Sequence, residues 1–206
     1  MTTDPVPGAH VSPQWAAWRR SVDLDEYEAR FVHDAAHGEA DLVASLHPRS
    51  VLDAGCGTGR VAIELDRRGI EAVGVDLDGD LLALAARKAP QLRWECTDLA
   101  SMDLGRTFDV VVLAGNVLLF CRDDRRSDVV ARCAAHLGPG GLLVAGFSLR
   151  MAESSIRLDE YDAAATAAGL VMVERWATWE RDVYVGGGYV VSLHRRAGHD
   201  ASDPLA

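Results

Sequence analysis

Basic residues are in short supply: 21 Lys plus Arg face 31 Asp plus Glu across 206 residues, a formal net charge of −10. Neutralising phosphates needs a basic face, so this balance excludes electrostatically driven nucleic-acid binding. Apolar runs are short too, and none approaches the roughly 20 residues that a membrane-spanning helix requires. The first thirteen residues carry Asp4-Pro5 and Pro7-Gly8 with neither a basic start nor an apolar stretch. No secretory leader is expected there, and the chain reads as cytoplasmic. Cysteine is sparse and badly spaced for chemistry: Cys56, Cys96, Cys121 and Cys133 stand 40, 25 and 12 residues apart. Neither a disulfide framework nor the close pairs of a zinc site fits those gaps, which leaves the role of small buried hydrophobe. What is present, 49% hydrophobic and 25% charged residues, is ordinary globular composition at a length that supports one domain with a real core.

From Ser50 onward, short β-rich runs alternate with helical patterns, the signature of a parallel sheet wrapped in helices. Ser50 to Ala54, Ala72 to Asp76, Gln91 to Thr97, Phe108 to Ala114 and Leu142 to Phe147 read as strands. Arg60 to Arg68, Gly79 to Lys88, Arg125 to Leu137 and about Leu158 to Ala168 read as helices, and Pro139-Gly140-Gly141 as a turn. The polar alternation of Gln91 to Thr97 suits a sheet edge, whereas the unbroken apolar run from Phe108 suits a strand covered on both faces. Leu170 to Trp179 and Tyr189 to Arg196 follow with no helix between them, so they must pair as a hairpin and one strand must run antiparallel. The first 48 residues show no strand signal. They place Trp15, Trp18, Tyr27 and Phe31 at helical spacing and read as a helical cap laid against a sheet domain of residues 49–198, with 199–206 as a disordered tail.

The chemistry concentrates in Asp53-Ala54-Gly55-Cys56-Gly57-Thr58-Gly59, between a strand and a helix N-terminus, where an α/β sheet offers a ligand its backbone and a positive dipole. Dinucleotide folds use G-x-G-x-x-G; here the third glycine falls one residue earlier and Arg60 takes the dinucleotide position. Asp76 ends the second strand 21 residues after Gly55, the separation at which a carboxylate accepts hydrogen bonds from a ribose diol. The bland alternative, a helix N-cap, is open to Asp78, Gly79 and Asp80.

With these segments, Thr97-Asp98-Leu99, Phe108-Asp109-Val110-Val111 and Leu137-Gly138-Pro139-Gly140-Gly141, the chain resembles the class I S-adenosylmethionine-dependent methyltransferase family over about residues 37 to 196. The resemblance implies a Rossmann-like seven-stranded sheet, mostly parallel with a reversed last strand and helices on both faces. It implies that Asp53 and the loop through Gly55, Cys56, Gly57 and Gly59 hold the methionine moiety, and that Asp76 holds the ribose. Asp98 would accept from the adenine amino group, Leu99 would offer backbone contact, and Leu77 would pack on the ring. Asn116 would sit beside the transferable methyl. His37 and Arg30 are candidates for the cofactor carboxylate region, His37 also as a base; Arg30 could instead pair with Asp34 or Glu26 along a helix.

Enzymes of this fold that methylate amino groups of bases or glutamine resemble one another in an Asn/Asp-Pro-Pro-aromatic sequence after the fourth strand, and Gly115-Asn116-Val117-Leu118 lacks those prolines. Gly115-Asn116 also supplies no acid for the magnesium site of catechol-type relatives, so no metal is expected. The expectation is a cytoplasmic enzyme, monomer or homodimer, that moves a methyl from S-adenosyl-L-methionine to a small molecule and releases S-adenosyl-L-homocysteine, with no nucleic-acid or membrane partner. Ser148 to Arg157 would help shape the acceptor pocket. The rivals are a non-catalytic cofactor-binding module and a nicotinamide-dependent oxidoreductase, the latter opposed by the glycine spacing.

Overall fold

The computed structural model describes residues 11–24, 26–27, 38–151 and 154–198. Helices α1 (Pro13–Ser21) and α2 (Gly38–Ser45) precede β1 (Ser50–Ala54), α3 (Arg60–Arg67), β2 (Glu71–Asp76), α4 (Gly79–Lys88) and β3 (Arg93–Cys96). After β4 (Phe108–Leu113) come the single turn α5 (Val117–Phe120), a 3₁₀ turn (Asp123–Arg125), α6 (Arg126–Ala135) and β5 (Leu137–Ser148). A two-residue ribbon, β6 (Arg150–Met151) with β7 (Ser154–Ser155), leads into α7 (Leu158–Ala167) and the hairpin β8 (Leu170–Trp176), β9 (Tyr189–Arg196).

The sheet order is β3-β2-β1-β4-β5-β9-β8. The pairs from β3 to β5 are parallel, and β9 runs antiparallel to both β5 and β8. The reversed strand expected from the hairpin is therefore present, and β3 is indeed an edge. One boundary differs from the sequence reading: Pro139-Gly140-Gly141 does not separate helix from strand but lies inside β5, where pairing with β4 shifts register between Phe108 and Val110. A glycine at φ 72° lets the strand absorb the irregularity without leaving the sheet.

Period-two alternation sends neighbouring residues of the central strands to opposite faces. Leu52, Val111, Leu113 and Phe147 join a core under α5, α6 and α7, while Val51, Val110, Val112 and Val144 join a second core under α2 and α3. Both faces are covered, as the unbroken apolar runs required. Parallel strands between covering helices put all their carboxyl ends on one rim, the place where open α/β sheets bind ligands.

Candidate active site

The loop after β1 is held from below by the neighbouring strand. The amides of Gly55 and Cys56 both donate to the Val75 carbonyl, at 2.8 and 2.9 Å, and the Gly57 amide donates to Asp76 Oδ2 at 2.8 Å. The other Asp76 oxygen accepts from the Asp78 amide at 3.0 Å. Asp76 is 8% exposed and burial pushes its carboxyl up to about 6, against the pull of those amides. Gly57 sits at φ 55°, and a Cβ there would meet no atom within 4 Å: the loop presents a bare face to open space.

That space is a cleft of about 810 Å³, its open mouth included. Its floor is Gly55, Gly57 and Asp76, with Gly115 after β4. Leu77 and the turn Asp98-Leu99-Ala100 form one side, and Phe120 to Arg122, Arg125 and Val129 another. Trp15, Trp18 and Tyr27 close it from above.

The cap is fastened at both ends. Ser12 accepts the Trp15 amide at 3.0 Å as the N-cap of α1 and donates its own hydroxyl to the Phe120 carbonyl at 2.5 Å. At the other end Arg19 reaches Asp78 Oδ2 at 2.6 Å and Asp80 Oδ2 at 2.7 Å. Asp78 is thereby shared between α1 and α4, whose N-terminus it caps through the Asp80 and Leu81 amides. Trp18 lies 5.6 Å, centroid to centroid, from both Tyr27 and Phe120. Trp15, Trp18 and Tyr27 all line the cleft, and Trp18 also packs on its neighbours; Phe31 lies outside the described residues.

Gly55, Gly57, Asp76, Leu77, Asp98 and Leu99 thus meet on one cleft, and four other expected residues do not line it. Asp53 shares the face of Val51 and turns toward α3; it is 1% exposed, and its Oδ2 accepts the Ala62 amide at 3.0 Å. Burial raises its carboxyl to about 7. Cys56 is also buried, its Sγ 2.9 Å from where a Gly74 side chain would begin, and burial pushes its thiol well up. Gly59 is glycine because a Cβ would strike Trp94 at 2.5 Å while its φ of 83° starts α3. Asn116 spends Oδ1 on the Ser148 amide at 2.6 Å, tying the end of β4 to the end of β5. His37 and Arg30 lie outside the described residues. His194 is structural: 2% exposed, edge-on to Tyr161, with burial lowering it to about 4.

Sequence reasoning missed Arg19, Cys121 and Arg125. Among the described residues no group of His, Cys, Asp and Glu could hold a metal ion, and no helix is long and apolar enough to cross a membrane.

A family model described as a methyltransferase domain matches residues 51–141. A magnesium-protoporphyrin O-methyltransferase of Rhodobacter capsulatus is 31% identical over 135 residues, 59% of this chain and 58% of that protein. A dTDP-3-amino-3,4,6-trideoxy-alpha-D-glucopyranose N,N-dimethyltransferase of Streptomyces venezuelae is 33% identical over 108 residues, 51% and 46% of the two chains. This chain spans about half the length of the curated relatives it matches. Among solved structures, a TehB-like SAM-dependent methyltransferase from Corynebacterium glutamicum superposes with a TM-score of 0.77 at 28% identity, covering 89% of this chain and 98% of that one. Sheet order, the loop after β1 and these matches agree: residues 51–141 match a methyltransferase domain, in a chain whose fold is similar to that of an S-adenosylmethionine-dependent methyltransferase.

Proposed function

We propose that this chain is a cytoplasmic enzyme that methylates a small-molecule acceptor with S-adenosylmethionine. The observation that carries the reading is the convergence of Asp76, Asp98 and the bare glycine loop on one cleft capped by Trp15, Trp18 and Tyr27. The cofactor fits that surface: Gly57 leaves a cradle that any Cβ would begin to fill, and the two carboxylates suit a ligand rich in hydroxyl and amino donors. When bound, the cofactor supplies a methyl already activated by its sulfonium.

The protein's task is then alignment and exclusion of water. Asp76, its two oxygens anchored by the Gly57 and Asp78 amides, keeps lone pairs for ribose hydroxyls without being free to swing. Leu77 and Leu99 provide apolar faces for the adenine, and Asp98 an acceptor for its amino group. The aromatic cap sheds water and offers ring faces to a cation. Acceptors of modest size fit a cap of one short helix and a single-turn α5. The O- and N-methyltransferases among the relatives act on small molecules, which supports the same class here.

Calorimetry with S-adenosylmethionine, followed by S-adenosylhomocysteine release against phenols, carboxylic acids and amino sugars, tests the proposal. Binding and release with one of these classes is expected. Binding of NADH without S-adenosylmethionine would overturn the reading, and binding without release from any acceptor would favour the non-catalytic module.

A further inference from the structure

Edge strand β3 reads Arg-Trp-Glu-Cys, and its one aromatic side chain, Trp94, packs half-buried against the core that α2 and α3 cover. Register sets Trp94 directly beside Gly74 of β2. A Cβ on Gly74 would lie 2.3 Å from the indole Cζ3, so glycine is what lets the ring cross the neighbouring strand. The same ring continues past the strand: a Cβ on Gly59 would lie 2.5 Å from Cη2 and 3.1 Å from the Ala85 methyl. Gly74 of β2, Ala85 of α4 and Gly59 at the start of α3 thus form the slot that the indole fills.

The ring is tethered at its other end. Nε1 donates to the Ala89 carbonyl at 3.0 Å, at the C-terminus of α4, which fixes the rotation of the indole. Its benzo edge then bears on the glycine loop. Gly59 closes that loop, its amide donating to the Cys56 carbonyl at 2.9 Å, and its carbonyl accepts the Ile63 amide at 2.9 Å as α3 begins. Gly57 lies inside the turn so closed, and its amide goes to Asp76. Asp76 therefore ties the loop through Gly57, and Trp94 supports it at Gly59. Covering Gly74 alone would need only a smaller ring, because the Cη2 edge and the Nε1 tether serve neither β2 nor β3.

We propose that Trp94 is a positioning residue for the cofactor: as a strut between the Ala89 carbonyl and Gly59, it sets where the Cys56–Gly59 turn presents Gly57 to the ligand. The role rests on the cofactor reading above. Trp94 does not line the cleft and acts through the loop. Glycines at φ 55° and 83° give the loop no side chains with which to hold itself, so a binding surface made of its backbone is fixed by what packs behind it.

Two variants separate this role from plain filling of the sheet, and neither measurement needs activity. Trp94→Phe keeps a ring beside Gly74 but has no atom at the Cη2 position and no N–H for Ala89, whose carbonyl still accepts the Leu92 amide at 3.2 Å. Titrated calorimetrically with S-adenosylhomocysteine well below its melting temperature, this variant is expected to bind about tenfold more weakly than wild type. Trp94→Ala opens the slot, and free indole is expected to bring its affinity back to within about threefold of the wild type measured in the same indole. Wild-type affinity in folded Trp94→Phe, or in folded Trp94→Ala without indole, would overturn the role and leave Trp94 a filler of the sheet. So would indole that raises the melting temperature of Trp94→Ala and leaves its affinity low. Failure of S-adenosylhomocysteine to bind the wild type would instead overturn the cofactor reading, and this inference with it.

Discussion

Asp76 does two jobs with one carboxylate, and the Asn variant separates them. Its oxygens already hold the Gly57 and Asp78 amides, so Asp76→Asn both removes the charge and turns an NH₂ toward one of those donors. Affinity for S-adenosylhomocysteine should fall by about 1–3 kcal/mol, read by calorimetry; unchanged affinity would remove Asp76 from the ribose role. Two glycines nearby make a sharper contrast. Gly57→Ala places its Cβ in open cleft at φ 55°, so beyond the roughly 1–2 kcal/mol of backbone strain it should also weaken ligand binding. At Gly74 a Cβ would lie 2.3 Å from Trp94, in the sheet interior, so Gly74→Ala should lower the melting temperature by several degrees, as overpacking costs of about 1–3 kcal/mol do. Unchanged affinity for S-adenosylhomocysteine in Gly57→Ala would deny that the loop's bare face belongs to the site.

At the scale of elements, α1 is the part whose contribution is least local. Its own sequence offers two tryptophans and two arginines, but what seats it is Arg19 on Asp78 and Asp80, about sixty positions away, and Ser12 on Phe120. Arg19 is 13% exposed and Asp78 3%, so this pair is shielded enough to matter. Arg19→Met should loosen the cap and speed ligand release about tenfold, measured by stopped-flow dissociation; a release rate that does not change would show the cap seated by its aromatics alone. The same example explains what was legible in the sequence. The sheet, its edge at β3 and the reversed hairpin strand followed from periodicity and turn residues, which are local. Asp76 and the glycines followed from their positions at strand ends, and Asp98 from the family resemblance. Asp53 and Asn116 stand off the cleft lining because their facing depends on which side of the sheet α3 and β5 occupy, and Arg125 carried no signal because a 3₁₀ turn of Asp and Arg has no apolar period.

For the whole molecule, the net charge of −10 conceals two carboxylates whose behaviour opposes the usual one. Burial raises Asp53 to about 7 and Asp76 to about 6, so both keep a proton in the folded chain at pH values where the unfolded chain, near 3.8, has released it. Between about pH 4 and 7 the native state therefore holds more protons, and stability from these groups declines as pH rises, levelling off above 7. Glu71, held down by Arg106, pulls the other way, but that pair is exposed and screened. Asp53→Asn isolates the buried effect, because the amide oxygen can still accept from Ala62 while no charge has to be desolvated. Relative to wild type, the variant's melting temperature should rise from pH 5 to about pH 7 and then level off, and a difference independent of pH would show Asp53 ionised throughout. Ligand acts in the opposite direction at Asp76, since hydroxyl donors favour the ionised carboxylate. The stabilisation given by saturating S-adenosylhomocysteine should accordingly grow between pH 5 and pH 7 in the wild type and lose that slope in Asp76→Asn, which ties the fold's costliest charges to the one ligand able to offset them.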